Sequence, residues 1–149
     1  MKIIYRPLNI QDEEEIKYVI EMDSTVPTQF DDWQHVSEEW KIKRLEELKE
    51  LKEKDFFQVA EFESKIVGFH YVTVSKWNFE VGSIITTWIH PDFRGKKIAQ
   101  TLKIKGEEWL KSKGVKYLCT GVHIDNTKMR AINEKSGFVL RTNGYAKML

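Results

Sequence analysis

Apolar and polar positions change their spacing several times along the chain, and each change marks an element. Residues 2–7 alternate as a short strand that Pro7 ends. Asn9 then offers a helix cap, and Asp12 to Glu15 place negative charge in the first turn, where the helix dipole favours it. Ile16, Val19 and Ile20 line one face of that helix. From Ser24 to His35 no period holds, which predicts a loop or broken helix. Ser37 caps a second helix running to about Lys54, with Trp40, Leu45, Leu48 and Leu51 as a narrow apolar stripe. Strand-like spacing begins at Phe56, with Phe57, Val59 and Ala60 leading to the polar turn Glu63-Ser64-Lys65 and a returning strand over Ile66 to Val74.

Val81 to Ile89 is nearly continuous in apolar and β-branched residues, as in a strand covered on both faces, and Pro91 stops it. Residues 95–113 read as a helix with Ile98, Leu102, Gly106, Trp109 and Leu110 on one face and Gly114 past its end. Val115 to Ile124 reads as a strand and Asn126 to Ser136 as a short helix. Phe138 onward reads as a terminal β segment broken near Asn143-Gly144. The order β-α-α-β-β-β-α-β-α-β predicts an α/β fold: a central mixed β-sheet with helices on both faces, residues 1–149 forming one domain.

Composition narrows the functional classes. Of 149 residues, 41% are hydrophobic and 32% charged, which suits a globular chain with a real core. A formal net charge of +1 gives no global pull on nucleic acid or an anionic membrane, so any phosphate site must be local. Cys119 is the single cysteine, which excludes an intramolecular disulfide and a cysteine-rich metal framework. No apolar run approaches a membrane span, and the N-terminal residues do not read as a signal peptide, so a cytoplasmic location is expected.

The chemistry concentrates in Thr86-Thr87-Trp88-Ile89-His90-Pro91-Asp92-Phe93-Arg94-Gly95-Lys96-Lys97-Ile98-Ala99. A strand ends at a proline, a basic loop follows, and a helix starts at once. Free amides at a helix N-terminus, with the dipole behind them, attract anions, and Arg94, Lys96 and Lys97 add charge at the same place. A phosphate-bearing ligand is one reading of this segment. A plain turn with solvated cations is the other.

This segment resembles the central signature of the GNAT superfamily of acyl-CoA N-acyltransferases, V-x-P-x-x-(R/Q)-x-x-G-x-(G/A). Ile89-His90-Pro91 stands at its start, Arg94 at the R/Q position, Lys97 at the glycine and Ala99 at the last. Asn126, Met129, Ile132, Asn133, Gly137 and Phe138 are similar to the family's N-x-x-A-x-x-L-Y-x-x-x-G-F signature. Ile4 to Pro7 with Asp12, and the hairpin around Val59-Ala60-Glu61 and Val67-Gly68-Phe69, are similar to its opening elements.

The resemblance implies transfer of an acetyl group from acetyl-CoA, as co-substrate and without a metal, to a primary amine in a ternary complex. It implies that amides from Arg94, Gly95, Lys96 and Lys97 through Ala99 to Gln100 hold the pyrophosphate. The strand edge at Thr87, Trp88 and Ile89 would pair with the pantetheine arm, as an added strand would. The thioester would sit where strands 81–89 and 115–124 part. Asn126 would touch the coenzyme or simply cap its helix. The acceptor would be a small-molecule amine or a peptide amine, with nucleic acid and membrane excluded as partners and a homodimer left open.

Two positions depart from the pattern. Lys97 replaces a glycine, and Asn133 replaces the tyrosine that in many relatives protonates the leaving thiolate; Asn133 can only donate a hydrogen bond to sulfur. The family's usual glutamate base aligns with Ser83, so Glu80, His123 and the pair Asp31/Asp32 are the nearby replacements. His123 is chosen first, for its pKa range and its place at a strand's end. Asp31, Asp32 and Trp33 are assigned to the acceptor pocket. The competing class is a catalytically silent acyl-CoA-binding module that regulates a partner.

Overall fold

The computed structural model of the chain describes residues 1–30 and 35–149. Among them run β1 (Ile4–Pro7), α1 (Glu13–Asp23), α2 (Glu38–Lys49), β2 (Asp55–Phe62), β3 (Lys65–Val74), β4 (Val81–Ile89), α3 (Ile98–Ser112), β5 (Tyr117–Cys119) and α4 (Thr127–Lys135). The sheet order is β1-β2-β3-β4-β5, antiparallel except for the parallel pair β4–β5. The expected mixed sheet is present, and helices cover both of its faces.

Strand alternation separates two apolar layers. Phe57, Val59, Phe69, Tyr71 and Trp88 pack with Ile16, Val19 and Ile20 of α1 and Leu48 of α2. On the other face Ala60 and Val67 meet Ile98 and Leu102 of α3, while Val72 and Val74 meet Leu110. Arg6 pins β1 to both neighbours, with bonds to Glu15 of α1 and Glu61 of β2, each at 2.8 Å.

Two register shifts shape the sheet. The pairs Ala60↔Gly68 and Glu61↔Ile66 leave Val67 as an extra residue in β3. Tyr71↔Thr86 and Val72↔Ile84 leave Ile85 as an extra residue in β4. Such bulges bend a strand and sharpen its twist. The second lies directly beyond Ser83↔Cys119, the last rung of the β4–β5 ladder. From Ile84 to Ile89 the outer edge of β4 has no strand partner among the described residues.

Several sequence-based boundaries shift. Asp12 caps α1 by accepting from the Glu14 and Glu15 amides, while Asn9 accepts from Gln11 in the preceding turn. α2 ends at Lys49 rather than near Lys54. α3 begins at Ile98, not at residue 95, because Gly95 and Lys97 take left-handed angles that no helix continues through. β5 keeps only three residues, and residues 138–149 form no regular element, so the terminal strand is a misreading. A β-patterned segment becomes a strand only where a ladder partner lies beside it.

Candidate active site

Where β4 and β5 part, a cleft of about 740 Å³ opens between the free edge of β4, the N-terminal half of α3 and α4. Its first component is the loop between β4 and α3. Pro91–Phe93 make one tight turn, Arg94 is extended, and Gly95 and Lys97 adopt φ of 73° and 62°. Lys97 occupies the cap position of α3 without a side-chain cap bond, and the first helical bond runs from the Thr101 amide to the Lys97 carbonyl. The amides of Gly95 through Gln100 therefore find no acceptor among the described residues. Six such donors at the positive end of a 15-residue helix suit an anion.

The second component is charge. Arg94, Lys97, Lys103, Lys128 and Lys135 line the cleft, against the single carboxylate of Glu107 among the described lining residues. The molecule as a whole is almost neutral, so this is the local concentration of cations that a polyphosphate requires. The opposite end of the cleft, at the parting strands, is apolar, with Ile84, Leu118, Phe30 and Ile132.

The third component is the strand edge. The His90 amide donates to Val67 of β3, and antiparallel alternation then turns the N–H and C=O of Thr87 and Ile89 outward. Arg94 Nε already uses the Ile89 carbonyl, at 3.2 Å. Trp88, between them, turns its backbone to β3 and its ring into the core, stacked on Phe69 at 5.4 Å. Its part at the edge is to hold the strand in place.

The other sequence-chosen residues distribute unevenly. Arg94, Gly95, Lys97, Ala99, Gln100 and Asn126 line the cleft. The Lys96 ammonium instead lies 5.0 Å from the centre of the Phe93 ring, outside that lining. Asn126 caps α4 by accepting from the Met129 amide, so its capping role and its place in the cleft coexist. Asn133 is 7% exposed and sits behind the lining, where the neighbouring Ile132 faces the cleft instead. A bond from Asn133 to a sulfur in the cleft is not what this packing offers.

Glu80 lies at the opposite end of β4, paired with Lys116 at 2.8 Å and accepting the Lys116 and Tyr117 amides on its carbonyl. It joins β4 to β5 at that end, away from the cleft. His123 stands just beyond the lining, its ring 6.2 Å from that of Phe30. Its Nδ1 accepts the Asp125 amide at 3.1 Å, which places the proton of the neutral ring on Nε2 and makes that atom a donor. A base role would require that bond to break. Asp31, Asp32 and Trp33 lie outside the described residues.

Sequence reading missed Lys103, Lys128 and Lys135, and it set His70 on the hairpin strand aside as structural or surface. Gln100, Lys103 and Glu107 follow one another at helical spacing, as do Lys128 and Lys135, so a polar stripe beside the apolar face of each helix was the available signal. His70 had none. It is buried on β3, and burial pulls its pKa down to about 4, with the charge of Lys103 adding to the effect.

The acetyltransferase (GNAT) family profile matches residues 19–138 of the chain. A curated relative, the mycothiol acetyltransferase of Renibacterium salmoninarum, is 27% identical over 103 residues, which cover 63% of the chain. The chain spans about 30% of that relative's length. Among solved structures, the PaiA N-acetyltransferase of Thermoplasma acidophilum in complex with coenzyme A is 25% identical with a TM-score of 0.71, covering 97% of this chain and 94% of that one. The glucosamine-6-phosphate N-acetyltransferase of Arabidopsis thaliana shares the fold at 22% identity and a TM-score of 0.72, covering 99% of both. With its fold, its strand-loop-helix anion site and the family match in agreement, the chain belongs to the GNAT family of acetyltransferases.

Proposed function

We propose that the protein transfers an acetyl group from acetyl-CoA to a primary amine of a small molecule, by direct attack within a ternary complex. One observation carries this reading: six amides without an acceptor among the described residues stand at one end of a cleft lined by five cations, and its other end is the gap between two parting parallel strands. A polyphosphate with a long uncharged arm matches that layout. Acetyl-CoA, when bound, supplies the activated acyl group as a thioester.

The chain's own residues hold and orient. The amides of Gly95 to Gln100, with Arg94 and Lys97, hold the phosphates. The outward N–H and C=O of Thr87 and the N–H of Ile89 align the arm, and Ile84, Leu118 and Phe30 keep water from the thioester end. Attack there needs a neutral amine, and an alkylamine with an ordinary pKa near 10 gives up roughly 4 kcal/mol to become neutral at pH 7. Gln29 and Phe30 reach the cleft from the chain's 24–37 segment, and Asp31 and Asp32, which follow them, are assigned to the acceptor side. Carboxylates near the amine would raise its pKa, so they serve attraction at a distance from the reacting nitrogen. The proposed setting is cytoplasmic, with a homodimer as the assembly to test.

Thermal melts and thiol release test the reading together. Acetyl-CoA should raise the melting temperature in proportion to the logarithm of its concentration above Kd. Free thiol should then appear only when an amine from a panel of small molecules is added. No thermal shift at millimolar acetyl-CoA would sink the proposal, and a shift without turnover on any amine would favour the silent regulatory module.

A further inference from the structure

On the face of the sheet away from α3, a buried ion pair joins the two helices whose connector reaches the cleft. Asp23, the last residue of α1, is 2% exposed, and its Oδ2 lies 3.1 Å from Nε of Arg44 on α2. Neither atom has a well-aligned hydrogen bond among the described residues, so charge rather than a formed bond holds the two. The buried Thr86 hydroxyl of β4 faces the same carboxylate. Arg44 is itself fixed: Nη1 bonds Glu47 at 2.9 Å, and the guanidinium lies 5.0 Å from the Trp40 ring centre and 5.9 Å from that of Tyr71. α1, α2 and β4 therefore meet at one carboxylate, and Thr86 directly follows Ile85, the extra residue of the β4 bulge.

That carboxylate stands in an unfavourable place. It is out of water and at the negative end of the α1 dipole. Burial pushes its pKa up, Arg44 and the Thr86 hydroxyl oppose, and Glu47 adds a smaller upward push. Buried ion pairs add little stability over apolar side chains of similar volume; what they can fix is geometry. The geometry fixed here belongs to the segment that follows. The Val26 amide donates to the Asp23 carbonyl at 3.0 Å, and the Gln29 amide to the Val26 carbonyl at 3.4 Å. Val26 packs on the apolar layer beneath α1 and α2. Gln29 and Phe30 then reach the cleft, where the Phe30 ring stacks on that of His123 in the loop after β5. Residues 23–30 thus run as a strap from α1 to the far side of the gap between β4 and β5, and Asp23 is the anchored end.

We propose that the Asp23–Arg44 pair is a positioning device for acetyl transfer: it holds the 23–30 strap across the parted strands, and the strap sets where an acceptor amine stands against the thioester. The inference rests on the acetyl-transfer reading of the cleft and adds to it a control that acts on the acceptor side alone. Neither Asp23 nor Arg44 lines the cleft, so both act through Phe30. The phosphate end is built from the loop before α3 and shares no residue with the junction.

Replacing both charges together tests it. Asp23→Leu with Arg44→Leu removes the pair without leaving a lone buried charge, and the melting temperature should stay within about 5 °C of wild type. Hydrogen exchange read by mass spectrometry should show the peptide spanning 24–30 exchanging about tenfold faster, with α3 peptides unchanged. CoA affinity by calorimetric titration should stay within about twofold. With the panel amine of highest turnover, acceptor KM should rise about tenfold while kcat falls by less than about threefold. Phe30→Ala should raise KM to a similar extent, and adding it to the double variant should raise KM little further, because both act through one strap. Arg44→Lys keeps the charge and loses the planar guanidinium; it should move exchange and KM the same way by about threefold, and it decides the matter if the double variant does not fold. Wild-type exchange over 24–30, an unchanged acceptor KM, an equal loss of CoA affinity, or additive losses with Phe30→Ala would overturn the positioning role and leave acetyl transfer in place. Wild-type protein that turns over no amine would overturn the transfer reading and this assignment with it.

Discussion

Lys97 holds a backbone conformation, φ 62° and ψ 10°, that costs an L-residue roughly 1 kcal/mol, and it stands where the family signature has glycine. The chain tolerates that strain and gains a cation in the cleft lining. Lys97→Gly should therefore raise the melting temperature by about 2–4 °C. CoA affinity should fall in the same variant, with a weaker dependence on salt, because one cation has left the phosphate end. Melts and titrations at two ionic strengths would show both effects. His70 is the opposite kind of residue, with no motif around it in the sequence and conspicuous in the fold. Its imidazole titrates near 4 when folded, against 6.5 ordinarily, because the charged form is denied water. Above pH 6.5 both states are neutral and its packing contributes in full. As pH falls from 6.5 toward 4 the unfolded chain takes up the proton first, and the folded state loses up to about 3 kcal/mol. His70→Gln should flatten that dependence. Urea unfolding near pH 7 and near pH 5 should show wild type losing about 2 kcal/mol more than the variant between them.

At the scale of elements, α3 is pressed against the sheet closely enough that its composition is dictated by what lies beneath. Gly106 is an expensive residue inside a helix, about 1 kcal/mol worse than alanine on propensity alone. It stands over the buried ring of His70, where an added methyl would fall 2.9 Å from Nε2 and 3.0 Å from Cδ2. The ring is wedged between Thr87 and the helix and has nowhere to move. Overpacking of this kind outweighs the propensity gain, so Gly106→Ala should destabilise by about 1–2 kcal/mol despite alanine's preference for helix. Denaturant unfolding would measure it, and a more stable Gly106→Ala protein would mean that α3 can lift from the sheet. The β4 bulge at Ile85 acts at the same scale. It follows the last β4–β5 rung, and the sharper bend it brings accompanies the divergence of strands that opens the cleft.

For the molecule as a whole, the two apolar layers share one sheet, and β2, β3 and β4 contribute to both. Neither layer can be lost without exposing the other, so we propose that residues 1–149 unfold as one domain. Calorimetry should find a single transition with an enthalpy of about 100 kcal/mol near 60 °C, equal to the van't Hoff value. Two resolved transitions would divide the chain. The elements that the sequence by itself determined are those governed by near neighbours. Pro91 ends β4 wherever that strand lies, the basic loop leads into a helix whose first amides are free, and the apolar stripes of α1 and α3 choose their inward faces. These local rules suffice for the strand-loop-helix anion site and hence for the family. Tertiary structure alone decided the rest. Glu80 directly precedes β4 and Ile89 ends it, yet only the pairing of β4 with β5 sends Glu80 to the closed end and Ile89 to the open one. His70, Lys103 and Met129 are far apart along the chain, and nothing in their local sequence relates them. They meet because β3 lies beside β4, α3 crosses both, and α4 returns over the gap where two strands cease to share hydrogen bonds.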